Sequence, residues 1–276
     1  MHIGQSHEKH MEKAATAQQK SAWYIGLLLA GIGIWNLSGV GVTPAQAYEQ
    51  LGPNTRSDFR LWTPVYLNVK LPSRFLAYME VNPRIGDDVT NIDQLLLRPA
   101  IGYQLTDNLS IWQGYAWVGN FNQTPTKFIP SNFFGENRIF QQAIYTQKFG
   151  DFKFMSRTRM EERWIDHAAG TALRFRQMLK LSYPLPIAPD WALVTYDEIF
   201  INLNSVDTFD EARRGASKGP GAGIDQNRFF LGINKSFNQY FNVDIGYQNQ
   251  MLNSRTLHGN ANLINHILLL QFYINL

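Results

Sequence analysis

From Phe59 to the C-terminus, apolar and polar residues alternate with a period of two in run after run, and no stretch of comparable length repeats apolar residues at i, i+3, i+4 and i+7. A period of two sends successive side chains to opposite faces of an extended chain, so the sequence predicts strands. In 263–276, Leu268, Leu270, Phe272, Ile274 and Leu276 share one face, against Leu269, Gln271, Tyr273 and Asn275. In 241–252, Phe241, Val243, Ile245, Tyr247 and Met251 oppose Asn242, Asp244, Gly246, Gln248 and Gln250. In 59–71, Phe59, Leu61, Val65, Leu67, Val69 and Leu71 oppose Arg60, Tyr66, Asn68 and Lys70. Similar runs near 74–84, 92–104, 109–120, 136–148, 152–165, 171–183, 191–203 and 225–236 bring the visible total to eleven.

Strands of globular proteins average roughly 5–6 residues. Runs about twice that length suit strands tilted across an apolar band of about 25 Å, as in transmembrane barrels. Composition agrees: charged residues are 17% and aromatics 13%, against roughly 25% charged in an ordinary soluble domain. A mean hydropathy of −0.25 is too polar for a bundle of membrane helices. Short turns (71–74, 106–108, 149–151, 236–239) alternate with longer connections (85–91, 121–135, 204–224, 253–262), the asymmetry between the two rims of an outer-membrane barrel. Such barrels have an even strand count and both termini on the periplasmic side. The expectation is therefore an all-β fold, a transmembrane antiparallel β-barrel of about 12 strands with 48–57 supplying a short first one; ten is the alternative if one run is a plug. A soluble sandwich or lipocalin-like barrel would show the same alternation with its apolar faces inward. Strand length, the leader described next and the charges gathered on one face favour the membrane.

Residues 1–22 are polar with Lys9, Lys13 and Lys20, Trp23 to Val42 is almost uncharged, and Thr43-Pro44-Ala45-Gln46-Ala47 ends in a small-x-small pattern. This predicts a secretory signal peptide over 1–47, cut after Ala47 to leave a barrel over 48–276 that begins at Tyr48, in the outer membrane of a Gram-negative bacterium. An uncleaved anchor is the alternative, weakened by glycines, Asn36 and Ser38. With no cysteine, a disulfide framework, a thiolate metal site and a cysteine nucleophile are excluded. A net charge of +3 without a basic block gives no reason to expect nucleic acid. After the leader only His167, His258 and His266 remain, without metal-ligand spacing, and no cofactor is expected.

The polar faces carry Glu80, Arg84, Arg98, Arg157, Arg159, Glu161, Arg163, Arg174, Arg176, Glu198, Arg228 and Asp244. Arginine fits an interior because its guanidinium stays charged and grips a carboxylate through two parallel hydrogen bonds. If these residues share one lumen, two readings follow: a closed structural barrel filled by ion pairs, or a porin-like channel passing a small anionic solute, since rings of Arg and Lys line anion pores. A lipid-modifying hydrolase is the rival from another class, with Ser254 near His258, and His167 near Asp166, as its only candidates. Glu161 and Glu162 are neighbours on one strand and point to opposite faces, which speaks against an acid–base dyad. Trp112, Trp117, Trp164 and Trp191, near strand ends, are expected in interfacial girdles. Oligomeric state is left open.

The last strand, His266 to Leu276, looks like the terminal strand by which barrel assembly machinery recognises outer-membrane barrels, except that it ends in leucine where an aromatic residue is usual. From Asp58 to Leu276 the chain resembles the uncharacterised bacterial family known as domain of unknown function 2490. The resemblance lies in the order of Leu61-Trp62, Glu80 with Arg84, Leu97-Arg98-Pro99, Gly102-Tyr103, Gly114-Tyr115, Glu162-Arg163, Arg174-Phe175-Arg176, Tyr196-Asp197-Glu198, Gln226-Asn227-Arg228 and Gly246-Tyr247. It implies an outer-membrane β-barrel in contact with outer-membrane lipid, and no particular activity.

Overall fold

The computed structural model describes residues 56–121, 133–166, 168–207, 219–256 and 259–276, with the backbone alone at 56, 254–256 and 259–262. The expected leader, the proposed cut after Ala47 and residues 48–55 lie outside the described residues. Among the described residues twelve strands form one closed sheet. They are β1 Arg56–Trp62, β2 Val65–Lys70, β3 Phe75–Gly86, β4 Asn91–Gln104, β5 Leu109–Asn120, β6 Phe134–Phe149, β7 Phe152–Ile165, β8 Thr171–Leu185, β9 Ala188–Asn202, β10 Gly223–Ser236, β11 Phe241–Thr256 and β12 Gly259–Asn275. Each of β3 to β12 pairs antiparallel with its neighbours in chain order.

Closure is unusual. β1 and β2 both pair with β12 in parallel (Trp62 opposite Leu269, Val65 opposite Phe272) and both pair with β3 antiparallel (Trp62 opposite Arg84, Val65 opposite Val81), without a change of register. They are two halves of a single stave, interrupted at Thr63-Pro64, where proline has no N–H to offer the ladder. The break is bridged: Thr63 N donates to Pro83 O at 3.2 Å and Phe272 N to Pro64 O at 2.9 Å. Twelve strands thus make eleven staves. An up-and-down meander with an odd number of staves must close on a parallel pair, so the first stave starts at the loop rim and the last ends at the turn rim. This departs from the expectation that both ends lie on one rim. Leu276 is tied there by Lys70 N to Leu276 O and Leu276 N to Asn68 O, each 2.8 Å.

The turn rim holds the tight links after β2, β4, β6, β8 and β10, and the loop rim holds the longer ones after β5 and β9. One expected loop is corrected. Within 253–262 the chain continues as a ladder, with Asn253 opposite Asn262 and Thr256 opposite Gly259, so β11 and β12 project beyond the rim as a hairpin.

The apolar faces point outward. Phe59, Ile101, Ile111, Leu179, Ile245 and Leu268 are all exposed, Phe59 at 46% and Ile101 at 55%, while charged side chains fill the inside. A soluble barrel would have the reverse arrangement. Among the described residues few charges break the outer face of the strands: Glu162 on β7, Lys235 at the turn-rim end of β10, and Asp197 on β9, which accepts a hydrogen bond from Asn227 at 2.8 Å. Trp117 stacks on Phe133, Trp164 is exposed, and Lys235 lies over Trp191. Trp112 corrects the girdle expectation: it faces inward, donating to Ser110 Oγ at 2.9 Å and meeting Tyr78 edge-on.

Candidate functional site

The inward positions of neighbouring staves stack charged residues into a belt at mid-height. Direct opposition in the ladder sets the pairs: Glu80 faces Arg98, Glu161 faces Arg174, Arg159 faces Arg176, and Arg138 faces Arg163. The last two oppositions put cation against cation, which is destabilising unless an anion comes between. A glutamate does so in each case. Glu136 accepts from Arg138 through two hydrogen bonds of 2.7 and 2.8 Å and from Arg163 Nε at 2.5 Å. Glu161 Oε1 accepts from Arg176 at 2.6 Å and Arg159 at 3.4 Å, and its Oε2 accepts from Arg174 at 2.6 and 3.0 Å.

Arg176 continues the network to Glu198, whose Oε1 takes its Nη2 at 2.7 Å and Arg157 Nη2 at 2.9 Å. On the neighbouring wall Glu80 is held by Arg98, by Tyr78 OH at 2.7 Å and by Asn82 at 3.0 Å. Toward the turn rim, Asp244 receives Lys180 at 2.9 Å, Asn234 at 2.6 Å and Tyr273 OH at 3.1 Å. Nine arginines (Arg84, Arg98, Arg138, Arg157, Arg159, Arg163, Arg174, Arg176, Arg228) line the belt with four glutamates (Glu80, Glu136, Glu161, Glu198); all but Arg84 and Arg228 are ion-paired to those glutamates among the described residues, and Arg174 also reaches Asp225 at 3.3 Å.

Rings carry part of the surplus. Arg159 lies over Phe140 at 4.2 Å, and Arg176 and Arg228 over Phe200 at 4.3 and 4.6 Å. A guanidinium over an aromatic face is attracted by the ring quadrupole without needing an anion. Space for Phe140 comes from Gly114 directly opposite, where a Cβ would stand 2.1 Å from Phe140 Cζ. The other side of the lumen is apolar: Trp62, Val194, Phe230, Ile267 and Leu269 form a buried cluster with Tyr196 against it.

The belt divides the interior into two cavities. One, of about 750 Å³, opens toward the turn rim among Tyr66, Tyr78, Lys180, Asp244 and Tyr273; the other, of about 400 Å³, opens toward the loop rim among Asn120, Glu136, Arg163 and Asp225. Both are lined by Trp62, Arg84, Arg98, Arg176 and Arg228, where they meet.

Of the twelve residues singled out in the sequence, Glu80, Arg84, Arg98, Arg159, Glu161, Arg163, Arg174, Arg176, Glu198 and Asp244 are buried inside the barrel, and Arg157 and Arg228 line its cavities. Ten meet in ion pairs; among the described residues Arg84 and Arg228 do not, Arg84 donating to Gln94 at 2.9 Å and Arg228 to Gln226 at 3.3 Å. Glu136 and Arg138 were missed, although their alternation with Phe140 and Gln142 put them on the polar face of a recognised run. The inward aromatics Trp62, Phe140, Phe200 and Phe230 were missed because an apolar residue on a polar face gives no signal in one dimension. Glu161 is buried inside while Glu162 lies outside, so the pair forms no dyad. Asp166 accepts from Gly135 N at 2.6 Å; His167, His258 and the Ser254 side chain lie outside the described residues. Among the described residues no three His, Asp or Glu side chains are grouped to hold a metal ion.

Among solved structures the chain is similar to OmpT, an outer membrane protein of Vibrio cholerae in its trimer form, at 11% identity over 68% of this chain and 58% of that one, with a TM-score of 0.36. A form of that protein lacking loop L8 aligns at 11% identity over 64% and 56%, with a TM-score of 0.35. The chain thus spans less than two thirds of either, and the architecture above rests on its own strands. An uncharacterised protein of Methylorubrum extorquens is 34% identical over 203 residues, 71% of this chain and 79% of that one. The family model described as protein of unknown function (DUF2490) matches residues 59–260. By that match and that relative, the chain belongs to the DUF2490 family of proteins of unknown function.

Proposed function

We propose that the protein is a bacterial outer-membrane β-barrel whose lumen is barred at mid-height by the ion-paired belt, leaving a water-accessible vestibule on each side. The membrane assignment is supported by the outward apolar faces, since arginine on a lipid face at the bilayer midplane costs about 2–4 kcal/mol and every belt arginine points the other way. Barrel assembly machinery is the partner the terminal strand would engage, and outer-membrane lipid is the solvent of the outer face. The bar is carried by one observation: Arg159, Glu161, Arg176, Glu198, Phe140, Phe200 and Phe230 point into the lumen, yet none is more than 4% exposed. Eleven staves lie between the small barrels that side chains fill and the sixteen-stranded porins that keep an aqueous channel.

Planar-bilayer recording of the refolded protein tests this. The expected result is conductance near baseline; stable open-channel steps from every inserted molecule would sink the bar. The surplus of arginine over glutamate favours a second reading, a narrow channel that prefers anions. In that case a salt gradient would give an anion-selective reversal potential, reduced by Arg→Glu changes at 157, 159, 174 and 176.

A further inference from the structure

Where the two cavities meet, the donors outnumber what the protein offers them. Arg84 lies 3.7 Å from the Trp62 ring centre and Arg228 lies 5.0 Å from it, so two guanidiniums share one indole. Neither forms an ion pair among the described residues: Arg84 donates to the neutral amide oxygen of Gln94, and Arg228 to those of Gln226 and of Gln250, whose amide is oriented to accept from its Nε and Nη2. Arg84 Nε, Arg98 Nε and Trp62 Nε1 are buried without a protein partner, although their residues are only 7%, 6% and 3% exposed. A buried donor left unpaired costs about 1–3 kcal/mol, more when charged. Three such N–H groups on side chains that line both cavities, beside two guanidiniums without a direct ion-pair partner among the described residues, match the acceptors of a small anion.

We propose that Arg84, Arg98, Arg228 and Trp62 form an oxyanion-binding site in the belt, reached through the vestibules and selective for a small phosphate or carboxylate. The chemistry fits the group. A guanidinium presents a planar fork matched to two oxygens of one phosphate or carboxylate, and the indole N–H donates without bringing charge. Arg98, already engaged to Glu80 through Nη1, keeps its Nε for the ligand. A halide has no second oxygen for the fork and is the weaker ligand. The proposal rests on the barrel reading above, in that the belt must be assembled, but requires no conduction through it.

The test is equilibrium dialysis of the protein, purified from membranes in non-ionic detergent, against labelled inorganic phosphate, with labelled acetate in parallel and chloride holding ionic strength constant. The expected result is one phosphate or acetate per chain. Arg84→Gln and Arg228→Gln should each weaken it at least tenfold, and Lys235→Gln, at the turn rim, should leave it unchanged. Trp62→Phe keeps the ring and removes only the N–H, so it reads the same site with less risk to folding; it should weaken binding severalfold. Binding of neither anion by folded wild-type protein overturns the site, as does equal binding by wild type, Arg84→Gln and Trp62→Phe. Conductance of the same preparation separates the two ideas. A barrel that conducts freely and still binds one oxyanion loses the bar and keeps the site, whereas a barred barrel that binds none loses the site alone.

Discussion

Glu161 has both carboxylate oxygens engaged by three guanidiniums, at 1% exposure. Burying such a cluster contributes little net stability, because desolvation offsets most of the attraction, but deleting one member leaves the others charged, buried and uncompensated. Glu161→Gln keeps the shape and removes the charge. It should lower the unfolding free energy by about 3–5 kcal/mol, read as a drop in the urea midpoint of the refolded protein in detergent. An unchanged midpoint would mean that water reaches Arg174 and Arg176 and that the belt is not closed. Gly114 shows how small residues serve the same belt: the Phe140 ring takes the space a side chain would fill, and the guanidinium of Arg159 rests on that ring.

At the scale of elements, the first stave sets the closure. Its register against β12 runs unbroken through Thr63-Pro64, so Asn68 stands opposite Asn275, and their side chains share a 3.1 Å hydrogen bond. The chain has no cysteine of its own, which makes a paired substitution easy to read. Asn68→Cys with Asn275→Cys should cross-link under mild oxidation in the folded barrel and give a reducible gel shift, whereas Asn68→Cys with Tyr273→Cys should cross-link less. Equal yields from the two pairs, or none from either, would contradict the parallel seam. The alternation in 59–71 already showed this stave as one run, and it is one run in register. Its parallel pairing was not legible, because the direction of the closing partner depends on how many staves the whole meander contains.

At the scale of the molecule, closure leaves no free sheet edge, so the barrel should resist detergent until heated. Unboiled and boiled samples should migrate differently on a gel, and circular dichroism of the folded form should show strand without substantial helix. A fully soluble, detergent-independent monomer would refute the membrane reading, which rests on outward apolar side chains such as Phe59, Ile101 and Leu268.

The sequence by itself determined that the chain is strands, about how long they are, and which residues share a face, because a side-chain period of two is a local property of extended backbone. It also separated the arginine-bearing faces from the apolar ones. Only the tertiary structure decided which face is inside, since alternation reads the same in a soluble barrel and an inverted one. Closure likewise decided which charges meet: Glu136 reaches Arg163 across β6 and β7, and Arg176 joins Glu161 to Glu198 across three strands. Those partners are set by register, a non-local quantity that no single run contains. The inward turn of Trp62, Trp112, Phe140, Phe200 and Phe230 was hidden for a related reason. A narrow lumen must be filled as well as neutralised, and what fills it depends on the space that glycines on neighbouring staves leave open.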